Sequence, residues 1–452
     1  MISILILFIF LSFSVFGSES PIPILFGSED LLKKEIQNFI PEKKKDKKEK
    51  IPIHWGGSSL TQEERVVDGI PMKVFVLGGG AYITHKAVKL GAREIEIIGE
   101  DALIGNLKGQ VIVEDIQNGV TLTAAKGVYN KILGTVTLDN QPILTQKKDN
   151  KIVKIRCQSI VRYLDDAKTV LSGTVTVVSE DFQVFGEDAV FFEKEDRIDL
   201  KGEPFLFSEN RFLIGETLSY FVKEGSIQLD GNATIYQVSY ESKKKKNNEE
   251  IDSKTETEPK ERILSFFTGD TLTHLNKGKD TITTMNGNAF LYRLSSEFRA
   301  NAIESKKNNK EIEAKGLVNY LDRENGYKMV GGFLSYDKEK GYSYLTDEPK
   351  ILFLDKKTLE EKGNLSSVYI ERFDEKKEMV ARGDVAVETQ TATAKGEFAT
   401  YFEKEDQLVL EGNPSLTKDT TTVSAGKIIM YPKTDKVILT DGLKVIPSGS
   451  KN

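Results

Sequence analysis

Phe191-Phe192-Glu193-Lys194-Glu195-Asp196-Arg197 is matched far downstream by Tyr401-Phe402-Glu403-Lys404-Glu405-Asp406-Gln407. Each stretch runs on into an alternating segment that ends in glycine: Ile198, Leu200 and Gly202 in one, Leu408, Leu410 and Gly412 in the other. Apolar residues at every second position share one face of a β-strand. The terminal glycine marks a turn or bend. Both copies then read Gly-x-Pro, at 202–204 and at 412–414. Proline donates nothing to a strand ladder and belongs at a turn or at a strand's first residue.

Outward from this pair a shorter unit recurs: a small residue, two variable positions, an apolar residue, a variable position, then Tyr or Phe. It reads Gly186/Ala189/Phe191, Gly215/Leu218/Tyr220, Gly331/Leu334/Tyr336, Gly396/Ala399/Tyr401 and Gly426/Ile429/Tyr431. Weaker copies start at Gly99, Ala124, Gln158, Gly269, Ala300 and Asn364, at a spacing of about 30 residues. A second signature, Leu-x-x-x-Pro, keeps the same register at Leu138/Pro142, Leu200/Pro204, Leu345/Pro349 and Leu410/Pro414. About eleven such units fit between residue 99 and the C-terminal end. A unit of two strands and their turns cannot bury its apolar face alone, so units stack on one another into an elongated body with a continuous core. The expected fold is all-β.

Composition removes several function classes. The net charge of −6 over 452 residues lacks the basic footprint of a nucleic-acid binder. The single cysteine, Cys157, forms no internal disulfide and reads as a small buried side chain. The three histidines, His54, His85 and His274, are far apart and have no ligand spacing, so neither a zinc site nor a Ser-His-Asp triad is expected. His274 takes the aromatic slot of a weak repeat copy, which suggests core packing. Gly78-Gly79-Gly80 follows a strand but precedes another alternating segment rather than a helix, so it reads as a turn or bulge and not a phosphate loop. No catalytic constellation, metal site or cofactor is expected.

The apolar run from Met1 to Phe16 is shorter than the ~20 residues that span a bilayer. Val15 and Gly17 suit a cleavage site. Residues 1–18 therefore read as a signal peptide, with an uncleaved membrane anchor as the alternative. The lysine-rich stretch from Glu42 to Lys50 is nearly all charge, so residues 19–65 read as a partly disordered tether. Residues 241–262 read as a disordered polar insert, dividing the repeats into 66–240 and 263–446, and residues 447–452 as a tail.

With these segments on the page, the chain resembles the OstA-like domain of the lipopolysaccharide transport (Lpt) proteins. The residues that carry the resemblance are the strand-turn-strand Val74 to Ile83 and the repeats 186–204 and 394–414. The resemblance implies an elongated repeat β-jellyroll with an open apolar interior. It implies a non-catalytic periplasmic protein, exported by its signal and associated with the inner or outer membrane. It would carry lipopolysaccharide or a related glycolipid in an apolar groove towards the outer membrane. It implies edge-strand contacts with other Lpt-type β-jellyroll proteins, and end-to-end homo-oligomers. The groove candidates are the inward positions of the repeat: Ala189, Phe191, Leu218, Tyr220, Leu334, Tyr336, Ala399, Tyr401, Ile429 and Tyr431. The competing expectation is a structural or surface-exposed β-solenoid scaffold with a dry interior and no lipid cargo.

Overall fold

The computed structural model describes residues 53–447, except 68, 100, 101, 149, 150, 181 and 243–259. The chain divides into two compact units, Met1–Ile51 and Pro52–Asn452. The first, which holds the expected signal peptide and most of the expected tether, lies outside the described residues. All that follows concerns the second. Its described residues form 34 strands and no helix.

A long strand here serves two layers. Strand Ile70–His85 pairs through residues 70–78 with Ser59–Val67, and through residues 82–85 with Ile53–Gly56. Between the halves, Gly79 and Gly80 adopt positive φ and the register shifts, which is the signature of a bulge that re-aims the chain. The expected turn or bulge at Gly78-Gly79-Gly80 is this corner. Strands Lys168–Val178 and Glu378–Thr389 shift register at Ser172/Val175 and Arg382/Val385 in the same way. One layer therefore continues from Ile53–Gly56 and the other from Ser59–Val67. The layers face each other: a Cβ on Gly105 of the second layer would meet Ile83 Cδ1 of the first at 2.7 Å.

Where proline follows the corner, the strand breaks in two. Asn140-Gln141, Gly202-Glu203, Asp347-Glu348 and Gly412-Asn413 all sit at positive φ, and each pair is followed by Pro142, Pro204, Pro349 or Pro414. The left-handed pair turns the chain out of one layer, and the proline withholds a ladder donor at the first residues of the other. The proline carbonyl still finds a partner: Pro204, Pro349 and Pro414 accept from the N–H of Gly215, Ser367 and Ala425. Those donors are the small residues at the corners; only Gly215 among them is a start of the unit read from the sequence. At Gly202 and Gly412 glycine is needed twice over, since φ is 80° at each and a Cβ would fall 2.5 and 2.6 Å from the Cβ of Glu187 and Glu397. The repeat is thus a corner device. Two weak copies were misplaced: Gly99 lies beyond strand Val88–Ile98, and the corner sits at Arg93; Asn364 lies within Glu361–Ser366, and the corner side chain is Val368.

The stack contains an internal duplication. The Asp115 side chain accepts from the backbone and side-chain amides of Asn118, and Asp322 does the same for Asn325. From these turns the strand order repeats element for element, from Val120–Asn130 to Ser226–Ser242 and from Tyr327–Asp337 to the pair Lys436–Thr440 and Lys444–Pro447. Arg162 donates to Glu193 in the first copy, and Arg372 to Glu403 in the second. Two cores follow the two copies, one from Leu77 to Ala289 and the other from Phe298 to Met430.

The sheet begins before the expected boundary at residue 66, because strand Ile53–Gly56 lies inside the stretch read as tether and strand Ser59–Val67 begins there. Of the polar insert, residues 241–242 and 260–262 are strand ends, and residues 243–259 lie outside the described residues. Of the tail, residue 447 ends a strand and 448–452 lie outside them.

Candidate functional site

The two layers are latched along the edge away from the corners. His85 of the first layer meets the Tyr129 hydroxyl of the second at 2.7 Å. Arg162 of the second reaches Asp115 of the first. Phe182 and Tyr220 pack edge to face at 4.7 Å, and Phe353 and Tyr401 lie 4.8 Å apart. Between these last two contacts, at the junction of the two copies, lies a cavity of about 1160 Å³. Cavities that hold small ligands run from ~300 to ~1,000 Å³.

The strand register explains its lining. In the first layer Leu206 pairs with Leu213, Leu213 with Ile235, Ile235 with Phe267 and Phe267 with Leu291. All five line the cavity as one apolar row near the corners. Two residues along each strand, on the same face by period two, runs a polar row: Ser208, Arg211, Gln237 and Ser265 paired strand to strand, then Arg293, which donates to Ser265. The second layer repeats the gradient. Leu272 and Met285 lie deep, and His274 and Thr283 lie nearer the open edge. The cavity is therefore amphipathic in depth, apolar at the corner side and polar at the rim.

The rim electrostatics are lopsided. Arg211 Nε is buried and has no hydrogen-bond partner among the described residues. Burial pushes its pKa down. Arg293 donates through Nε to Ser265 Oγ at 3.1 Å. Lys338 also lines the cavity, and Glu180 is the one acid among its described lining residues. His274, 2.8 Å from Thr283 Oγ1, has its pKa lowered first by burial and then by Arg211. Its ring lines the cavity, which corrects the expectation of simple core packing.

The sequence candidates divide three ways. Ala189, Phe191, Leu218, Ala399 and Tyr401 are buried in the packed cores, and Leu334 with them. Tyr220 and Tyr336 line the cavity. The Tyr336 hydroxyl donates to Asp374, and burial with that carboxylate pushes its pKa up to about 12. Ile429 and Tyr431 point the other way: Ile428 and Met430 are the buried residues of that strand, and Tyr431 accepts a hydrogen bond from Gln407. The small residue of this unit is Ala425 rather than Gly426, and a one-residue slip turns every side chain over. Sequence reading missed Arg211 and Arg293. Their signal was a charge in the apolar phase of a strand, two residues from Leu213 and Leu291. Cys157 is buried as expected, donates to the Ser159 carbonyl and has its pKa raised to about 11 by burial.

Residues 351–436 match the family model described as LptA/(LptD N-terminal domain) LPS transport protein. No curated protein matches. Among solved structures the chain is similar to LptH of Pseudomonas aeruginosa, described as the LptA homologous periplasmic component of the conserved lipopolysaccharide transport device. That likeness has 12% identity and a TM-score of 0.23, and covers 27% of this chain and 96% of that one. The resemblance to the OstA/Lpt family read from the repeats is thus shown by the family match at 351–436, within the second structural copy of the chain.

Proposed function

We propose that this chain is a non-catalytic periplasmic carrier in lipopolysaccharide transport. It holds the acyl part of lipopolysaccharide or a related glycolipid in the central cavity and leaves the sugar part at the polar rim. The observation that carries this reading is the graded cavity between two packed cores, apolar in its depth and polar at its edge. The family match supports the substrate class. The groove is then local, confined to the junction, rather than spread over every repeat.

The stack also offers joints. Among the described residues, Ile53–Gly56 and Ser59–Val67 at one end each pair on one side only, as do Lys436–Thr440 and Lys444–Pro447 at the other. Unpaired edges of this kind take an added strand. They suit another Lpt-type β-jellyroll or a second copy of this chain.

A series of uncharged monoacylglycerols of rising chain length tests the cavity. Each CH₂ it buries adds ~0.8 kcal/mol, about fourfold in affinity, until the space is filled. No uptake at any chain length would favour the scaffold reading, which the packed interior on either side of the cavity supports.

A further inference from the structure

We propose that the rim of the central cavity is an anion site, in which Arg211, aided by Arg293 in the same row, binds the phosphate or carboxylate of an amphiphile whose chain fills the cavity. This rests on the reading of the cavity as an acyl site and adds which headgroup it selects.

Three observations carry the inference. Arg211 Nε is buried without a hydrogen-bond partner among the described residues. Arg211 itself is half-buried, and a buried donor nitrogen without an acceptor is costly unless something pairs with it. Nothing in the described fold does: Glu180, the one acid of the described lining, makes no ion pair with it. Second, the row is built for access from the cavity. Arg211 sits opposite Gln237 and Gln237 opposite Ser265, and Ser265 accepts from Arg293 on the next strand. The two arginines are three strand spacings apart, about 14 Å along the sheet, with neutral hydrogen-bonding side chains between them. Third, the apolar row begins two residues away on the same face. An acyl chain lying along Leu213 and Phe267 therefore brings its head to Arg211 and not to open solvent. His274 does not compete as a cation, since burial and Arg211 both disfavour its charged form.

A fork of guanidinium donors matches a phosphate or carboxylate, and a charge-assisted hydrogen bond in a partly buried site is stronger than a neutral one. The site thus prefers an anionic single- or double-chain amphiphile over an uncharged one of equal length.

The test uses the full chain with two fluorescent probes, cis-parinaric acid and its methyl ester, and dodecyl phosphate as competitor. The expected result is about tenfold tighter binding of the acid than of the ester, with displacement of the acid by dodecyl phosphate. Arg211→Met reduces the preference to about twofold or less, and Arg211→Lys keeps most of it. Arg293→Met weakens it less than Arg211→Met. Equal binding of acid and ester by the native chain overturns the anion site and leaves the acyl cavity standing. So does a preference that survives Arg211→Met in a variant with native circular dichroism. Failure of both probes to bind overturns the acyl cavity itself and the anion site with it. Should Arg211→Met not fold, the Arg211→Lys and Arg293→Met ratios decide: unchanged preference in Arg293→Met together with loss in Arg211→Lys overturns the shared row.

Discussion

Arg162 donates to both carboxylate oxygens of Glu193 at a point where neither side chain has any exposure. Asp115 and Thr169 complete the cluster. Removing one partner strands a buried charge, so Glu193→Ala should lose ~3–5 kcal/mol, read as a lower midpoint in chemical unfolding. The equivalent pair, Arg372 and Glu403, keeps some contact with water. Glu403→Ala should lose less. An Glu193→Ala midpoint at or above that of Glu403→Ala would refute the account.

The corner glycines separate two effects. Gly80 and Gly202 have almost the same φ, 78° and 80°. A Cβ on Gly80 would meet nothing within 4 Å, whereas on Gly202 it would fall 2.5 Å from Glu187 Cβ. Both alanine variants pay for a left-handed backbone, ~1–2 kcal/mol. Gly202→Ala adds a steric conflict and should show the larger fall in thermal midpoint. Equal losses would mean that the close approach is relieved without cost.

Photo-crosslinking tests the proposed cargo site. Phe267 and Tyr220 line the cavity, whereas Phe191 is fully buried in packed core. A photoreactive residue at 267 or 220 should give a lipopolysaccharide adduct in cells, and one at 191 should not. Adducts at 191 as strong as at 267 would mean that the packed cores open and that the conduit runs beyond the junction.

How much of this was legible beforehand follows from what a repeat encodes. The corners wrote themselves into the sequence, since only glycine or a small residue fits where Gly202 lies under Glu187 and only the break in the ladder admits Pro204. Fold class and unit spacing therefore came from local pattern. The inward face followed too, where glycine was the true corner residue, as at Gly186, Gly215 and Gly396. It failed at Gly426 because Ala425 is the small residue there, so Ile429 and Tyr431 fell on the wrong face. The cavity was not legible, because it depends on how far two layers stand apart. Tyr220 and Tyr336 occupy the same motif position as Phe191 and Tyr401, yet only the first pair borders space. The duplication was half visible: the 191–197 and 401–407 copies declared it, while the Asp115 and Asp322 turns share only Asp-x-x-Asn-Gly.

Two of the described histidines, buried His85 and half-buried His274, set the behaviour in mild acid. His274 is lowered by burial and by Arg211, and His85 chiefly by burial, with Asp165 opposing. A histidine whose folded pKa lies below the unfolded value of 6.5 binds fewer protons folded than unfolded in the interval between the two. Stability then rises with pH across that interval. It is fully present above about 6.5 and is lost as pH falls towards the folded values. The carboxylates with lowered pKa, Asp165 and Glu313 among them, act in the same direction but only below the usual carboxylate range. The native chain should therefore unfold at a lower temperature at pH 5.5 than at pH 7.5. His274→Gln, which keeps a partner for Thr283, should reduce that difference, and His85→Gln should reduce it further. A difference unchanged in the double variant would refute the histidine account, since the carboxylates act only at lower pH.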